Sequence, residues 1–134
     1  MEFFKYHFPF LLWLAVIFVE SSFPAEVYPQ IEIFSADKIF HLGVYGLLAA
    51  LCYISLIHQE KFLSLKKSPL ILTLIIVSLY GLSDEFHQLF VTNRDCEFWD
   101  WLADFGGAVI MVLLIKYYLQ KRLRVFKREE IPSF

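Results

Sequence analysis

Four apolar stretches, each close to the length of a bilayer crossing, dominate this sequence of 134 residues. They run from Phe4 to Val19, Ile39 to Ile57, Pro69 to Phe90 and Phe98 to Leu119. About 20 apolar residues span a hydrocarbon core as a helix, and only helices or closed barrels satisfy every backbone amide there. The pattern predicts an all-α integral membrane four-helix bundle, a single domain over residues 1–134. Composition agrees, with 58% of residues hydrophobic where soluble domains run at about 45–50%. Pro69 suits a first helical turn, because its missing N–H would have no partner there. Lys5 ahead of a short apolar core also fits a secretory signal. Cleavage wants small residues at positions −3 and −1, however, and Ser22-Phe23-Pro24-Ala25 puts Phe at −3, which favours a retained helix.

Basic residues orient the bundle, since cytoplasmic flanks accumulate Lys and Arg. With the amino terminus inside, Lys5, Lys61, Lys66, Lys67, Lys116, Lys121, Arg122, Arg124, Lys127 and Arg128 are all cytoplasmic, ten of the twelve basic residues. Only Lys38 and Arg94 remain outside. Both termini are therefore expected in the cytoplasm, and the tail from Lys121 to Glu130 reads as a solvated extension of the last helix.

On that topology the other ionisable residues converge. Asp37, Lys38 and His41 open the second helix at its outer end. Asp84, Glu85, His87 and Gln88 lie near the outer end of the third. Arg94 is in the short outer loop, and Asp100 and Asp104 begin the fourth. At about 1.5 Å of rise per residue, Asp84 and Asp104 lie roughly 9 Å inward of their helix ends, with Tyr45 at comparable depth. These three make an inner layer, and His41, His87, Gln88 and Asp100 one nearer water. Asp37, His41 and Tyr45 share a stripe at i, i+4 and i+8. Gly106, Gly107 and Ala108 would let a neighbouring helix come close. Single residues here have ordinary explanations: Asp37, Lys38, Arg94 and Asp100 as wet interface, either histidine as structural, Tyr45, Trp99 and Trp101 as interfacial aromatics. Three carboxylates directed into a helix bundle fit that explanation less well, because intramembrane ionisable residues are costly and mark functional sites.

The same residues resemble a known family. Ile17-Phe18 with Ser21-Ser22 and Pro24 resembles the end of the first helix in the VanZ-like bacterial membrane proteins. Asp37-Lys38-x-x-His41-x-x-x-Tyr45 is similar to their second-helix signature. Ser83-Asp84-Glu85-Phe86-His87-Gln88, with Phe90 and Arg94, resembles their most specific motif. Asp100-x-x-x-Asp104-x-x-Gly107 resembles their Asp-x-x-x-Asn-x-x-Gly, with Asp104 in place of Asn as the departure. The resemblance implies a multi-pass protein of the bacterial cytoplasmic membrane and a link to resistance against the glycopeptide teicoplanin. It brings no particular reaction.

The chemistry on offer is acidic. Asp37, Asp84, Glu85, Asp100 and Asp104 face two cations, so some carboxylates are expected to be protonated, paired with Lys38 and Arg94, or bound to a divalent metal ion. One reading is an enzyme hydrolysing or transferring a group on a lipid-linked phosphate or cell-envelope precursor. Asp84, Glu85, His41, His87 and Asp104 would be its catalytic groups, and Lys38, Tyr45, Gln88, Arg94, Asp37 and Asp100 would bind substrate. A second is a non-catalytic protein binding membrane lipids or a glycopeptide. A third, an ion conduit, is disfavoured by the apolar runs Leu47 to Leu51 and Ile71 to Val77. The net charge of −2 and the absence of a basic, aromatic-interleaved segment argue against nucleic acid. Cys52 and Cys96 lack metal-ligand spacing.

Overall fold

The computed structural model describes residues 1–27 and 34–129. The elements are α1 (Glu2–Tyr6), α2 (Phe8–Ser21), α3 (Phe34–His58), α4 (Pro69–Gln88) and α5 (Phe98–Glu129), with short 3-10 turns at Ala25–Val27 and Leu63–Lys67. Among the described residues no strand occurs, so the molecule is an all-helical membrane protein. The regions Asp37–His58, Pro69–Gln88 and Phe98–Val125 are long and apolar enough to cross a bilayer, and α2 is a shorter apolar helix.

The first apolar stretch is a helix interrupted at His7, with His7 N–H still donating to the Phe3 carbonyl and Leu11 N–H to that of His7. Pro9 has no N–H to return to the Lys5 carbonyl, and its ring restricts the preceding residue. That interruption divides the helix into α1 and α2. Both pieces are held to the far end of α3, where Tyr6 stacks on His58 with ring centroids 3.6 Å apart and His7 Nδ1 lies 2.8 Å from Ser55 Oγ. At the other boundaries, α4 stops at Gln88 and the chain continues in tight turns, with Phe90 N–H donating to the His87 carbonyl at 3.0 Å. α5 runs on past Leu119 to Glu129, and Lys121 to Val125 are exposed, as a solvated helical tail requires. Glu130, at the end of the tail defined from sequence, lies outside the described residues.

Cross-helix contacts fix the arrangement. Lys38 meets Asp100 and His41 meets Asp104, so α3 and α5 run parallel. α4 runs antiparallel to both, with Tyr45 against Asp84 and Trp101 Nε1 donating to the Ser78 carbonyl at 3.2 Å. α2 closes the outside of α3 and α4: Trp13 Nε1 donates to the Val44 carbonyl at 3.1 Å, and Tyr80 Oη to that of Leu14 at 2.6 Å. The core holds Ile17, Tyr45, Leu48, Ala49, Cys52, Val77 and Ala108. Leu11, Ile71, Leu79, Leu82, Ile110 and Leu113 point outward as an apolar surface suited to lipid tails.

The α3–α5 pair is the most extensive interface, and one residue sets its spacing. A methyl group on Gly107 would press on the Leu42 carbonyl, its carbon 2.9 Å from the carbonyl carbon and 3.0 Å from Leu42 Cα. Gly46 meets the Gly107 carbonyl from the other side, leaving ordinary van der Waals distance for a Cβ (3.5 Å). Of the small residues marked in the sequence, Gly107 and buried Ala108 face neighbours, whereas Gly106 has open space.

Candidate functional site

The site follows from that close approach. One turn toward the helix starts from the Gly107–Leu42 crossing, His41 Nδ1 lies 2.9 Å from Asp104 Oδ1. His41 Nε2 lies 3.8 Å from Asp37 Oδ1, its neighbour one turn earlier on α3. A further step outward, Lys38 Nζ donates to Asp100 Oδ1, to Glu97 Oε2 at 3.0 Å and to Asp37 Oδ2 at 3.2 Å. The ammonium group is thus enclosed by three carboxylates from α3, α5 and the loop before α5.

α4 completes the cluster from the antiparallel side. Tyr45 Oη donates to Asp84 Oδ2 at 3.1 Å. Glu85 Oε2 accepts the Glu97 N–H at 2.9 Å, just ahead of the amino end of α5, where the helix dipole favours an anion. Gly81 sits beside this pair. A Cβ there would stand 3.2 Å from Asp104 Oδ2 and 3.3 Å from Tyr45 Cε1, so the missing side chain keeps the space between α4 and Asp104 clear.

Satisfaction of these groups is uneven. Asp104, Glu85 and Asp84 retain only 1%, 3% and 6% of their exposure. One oxygen of each (Asp104 Oδ2, Glu85 Oε1 and Asp84 Oδ1) is buried without a hydrogen-bond partner. Native interiors leave few such atoms, because each carries a desolvation cost of about 1–3 kcal/mol or more for a charged group. Two groups have metal-compatible proximity, with ligand atoms mutually within 4.8 Å: Asp37, His41 and Asp100, and His41, Glu85 and Asp104.

The residues marked in the sequence divide into two places. Asp37, Lys38, His41, Tyr45, Asp84, Glu85, Asp100 and Asp104 are linked as described. Gln88 is buried one turn beyond Asp84. His87 instead turns to the first segment, its Nε2 3.0 Å from Ser22 Oγ and its ring stacked on Phe18 at 4.6 Å between centroids. Arg94 also faces that way, with Nε donating to the Phe23 carbonyl at 3.2 Å and Nη2 3.8 Å from Glu20 Oε1. Both tie the α4–α5 end to the end of α2. The loop between them turns at Asn93, whose φ of 54° is left-handed. Its side chain donates to Glu26, which holds that carboxyl below its usual range. Glu97 was not among the sequence candidates, although it contacts both Lys38 and Glu85. The acidic run Asp95-Cys96-Glu97 was its only signal. Neighbouring Cys96 is exposed, and partial burial together with the Glu85 carboxylate raises its thiol above the usual value.

The family described as VanZ/LLP1 matches the chain over residues 6–121, a stretch containing every residue of this cluster. Neither a curated protein nor a solved structure matches it.

Proposed function

This chain belongs to the VanZ/LLP1 family, and from that premise we propose that it hydrolyses or transfers a group on a lipid-linked phosphate or related cell-envelope precursor. Its membrane is the bacterial cytoplasmic membrane, with both termini inside and the polar end of the bundle outside, the orientation favoured by the distribution of Lys and Arg.

The observation that carries this reading is the His41–Asp104 pair at 2.9 Å, held between α3 and α5 beside the carboxylates of α4. A carboxylate on one ring nitrogen orients the imidazole and stabilises its protonated form, which is what a general base needs. In the reaction, a water oxygen bonds to phosphorus and the ester oxygen of a phosphate monoester, or the bridging oxygen of a diphosphate, leaves. The proton released by water goes to the His41–Asp104 pair, which returns it to the leaving oxygen. Tyr45 and Asp84 form the floor of the site, and Lys38 closes its outer side.

Reconstituted protein given phosphatidic acid or a polyprenyl diphosphate should release phosphate. His41→Ala should lower that rate by about 100-fold or more, the usual contribution of a positioned acid–base group. Equal turnover by wild type and His41→Ala would overturn the reading. One observation favours a second reading, a non-catalytic acidic binding site. Lys38 is committed to three carboxylates, leaving the cluster rich in anions and suited to a cationic ligand such as a glycopeptide. Saturable glycopeptide binding lost in Glu85→Gln, with the ligand chemically unchanged by mass spectrometry, is its signature.

A further inference from the structure

The geometry points to a divalent cation site formed by His41, Glu85 and Asp104, with Mn2+ or Zn2+ as the ion it takes. The cluster holds two groups of carboxylates. In the outer one, Asp37, Glu97 and Asp100 already surround a cation, the Lys38 ammonium. The inner one holds Asp104, Glu85 and, alongside, Asp84, with His41 as the sole basic group in contact among the described residues. Each of these carboxylates keeps one buried oxygen without a donor. One proton shared between two of these groups would satisfy two of the oxygens and leave the third without a donor. A metal ion satisfies charge and lone pairs together.

Three further observations agree. The ligand atoms come from three different helices and lie within 4.8 Å of one another. Three ligands each about 2.0–2.2 Å from one ion, at tetrahedral or trigonal angles, stand about 3.3–3.8 Å apart, so side-chain rotations that draw these atoms together by about 1 Å close the site. The absence of a side chain at Gly81 leaves room beside Asp104 Oδ2. Finally, Glu85 is already oriented by the Glu97 N–H through its other oxygen, the kind of outer support that holds a ligating carboxylate in place. Mixed imidazole and carboxylate ligation suits Mn2+ or Zn2+, whereas Ca2+ wants six to eight oxygens.

The role of such an ion rests on the reading of this site as a phosphate-processing one; with the ion bound, His41 and Asp104 hold it, and the neighbouring Asp84 carboxylate takes the proton from water in place of the His41–Asp104 pair. An acidic cluster whose lysine is already engaged repels an anionic head group, and a divalent ion reverses the sign of the field at that point. Binding of the ion, however, can be read without any substrate, so the two conclusions can fail separately.

The test is Mn2+ titration of the full chain in detergent or nanodiscs, with electron paramagnetic resonance as readout. The expected result is one bound ion per chain, displaced by Zn2+ and not by equimolar Ca2+. The bound spectrum should show a nitrogen coupling from one imidazole, absent in His41→Ala. Glu85→Gln and Asp104→Asn should each weaken binding by tenfold or more, since even outer-shell changes cost 10–100-fold. Asp37→Asn, in the group that Lys38 neutralises, should shift it less than twofold. No binding above empty nanodiscs, or bound Mn2+ without nitrogen coupling in the wild type, would overturn the site. The wild-type spectrum decides this even if a variant fails to fold. A loss in Asp37→Asn matching that in Glu85→Gln would overturn it too, by moving the ion to the outer group.

Discussion

Replacing Gly107 by Ala should separate the two helices that build the site. The added carbon would stand 2.9 and 3.0 Å from two backbone atoms of Leu42, where carbon pairs prefer about 3.5–4.0 Å. Neither helix backbone can rotate away as a side chain would, so α3 and α5 must part by roughly 0.5–1 Å. The His41–Asp104 distance of 2.9 Å would then open to about 3.4–3.9 Å, at or past the limit for a hydrogen bond. Overpacking of this kind costs about 1–3 kcal/mol. Gly106→Ala is the internal control: nothing lies within 4 Å of its new methyl, and the higher helix propensity of Ala should leave stability unchanged or raise it by up to about 1 kcal/mol. Both variants would be unfolded by heat or denaturant in detergent, followed by circular dichroism. If Gly107→Ala and Gly106→Ala unfolded alike, the backbone contact at Leu42 could not be what sets the spacing of the site.

Other substitutions test single links. Lys38→Met strips the cation from Asp37, Glu97 and Asp100; with Lys38 and Asp100 side chains only 18% and 10% exposed, it should cost about 2–3 kcal/mol, most of it recovered in Lys38→Arg, as measured by the same unfolding assay. Tyr45→Phe removes the donor to buried Asp84 Oδ2 and should cost about 1–3 kcal/mol; the loss should shrink in an Asp84→Asn background if the two residues act through that bond. Cys96 should react slowly with iodoacetamide near pH 7.5, because a raised thiol pKa leaves less thiolate, and the rate should climb as pH rises. Glu85→Gln should speed that reaction, and buried Cys52 should stay unmodified throughout. A membrane-impermeant maleimide applied to intact cells would label Cys96 only if the polar end faces outward.

Helical character was legible because apolar run length and the bilayer dictate it together. The end of the bundle that carries polar residues was legible too, since depth follows from counting rise along each helix. Direction around each helix was not. His41 and His87 fall in one layer by helical rise, yet His41 turns toward Asp104 while His87, with Arg94 of the outer loop, turns toward α2. That choice depends on how the helices are rotated, which is set by contacts such as Leu42 with Gly107 that no single segment reveals. The i, i+4, i+8 stripe of Asp37, His41 and Tyr45 is a real face, but it is shared between two partners, Asp104 on α5 and Asp84 on α4. Glu97 escaped notice for a related reason. It lies in a loop, where an acidic residue is unremarkable until Lys38 and Glu85 are seen to meet it. The interruption at His7 was readable from Pro9 in principle, though the continuous apolar run masked it.

The parallel pairing of α3 with α5 has a consequence for biogenesis. Synthesis delivers α3 to the bilayer well before α5, with 62 residues separating Lys38 from Asp100 and 63 separating His41 from Asp104. Until the last helix arrives, Lys38 and His41 on α3 lack the carboxylates of α5, and Glu85 on α4 lacks the Glu97 amide that later meets it. A chain halted after α4 is therefore a bundle with open acidic seams, a form that membrane quality control can distinguish from the finished one. Arrival of α5 brings Asp100 to Lys38, Asp104 to His41 and the Glu97 amide to Glu85, so these contacts mark a chain whose last helix is in place.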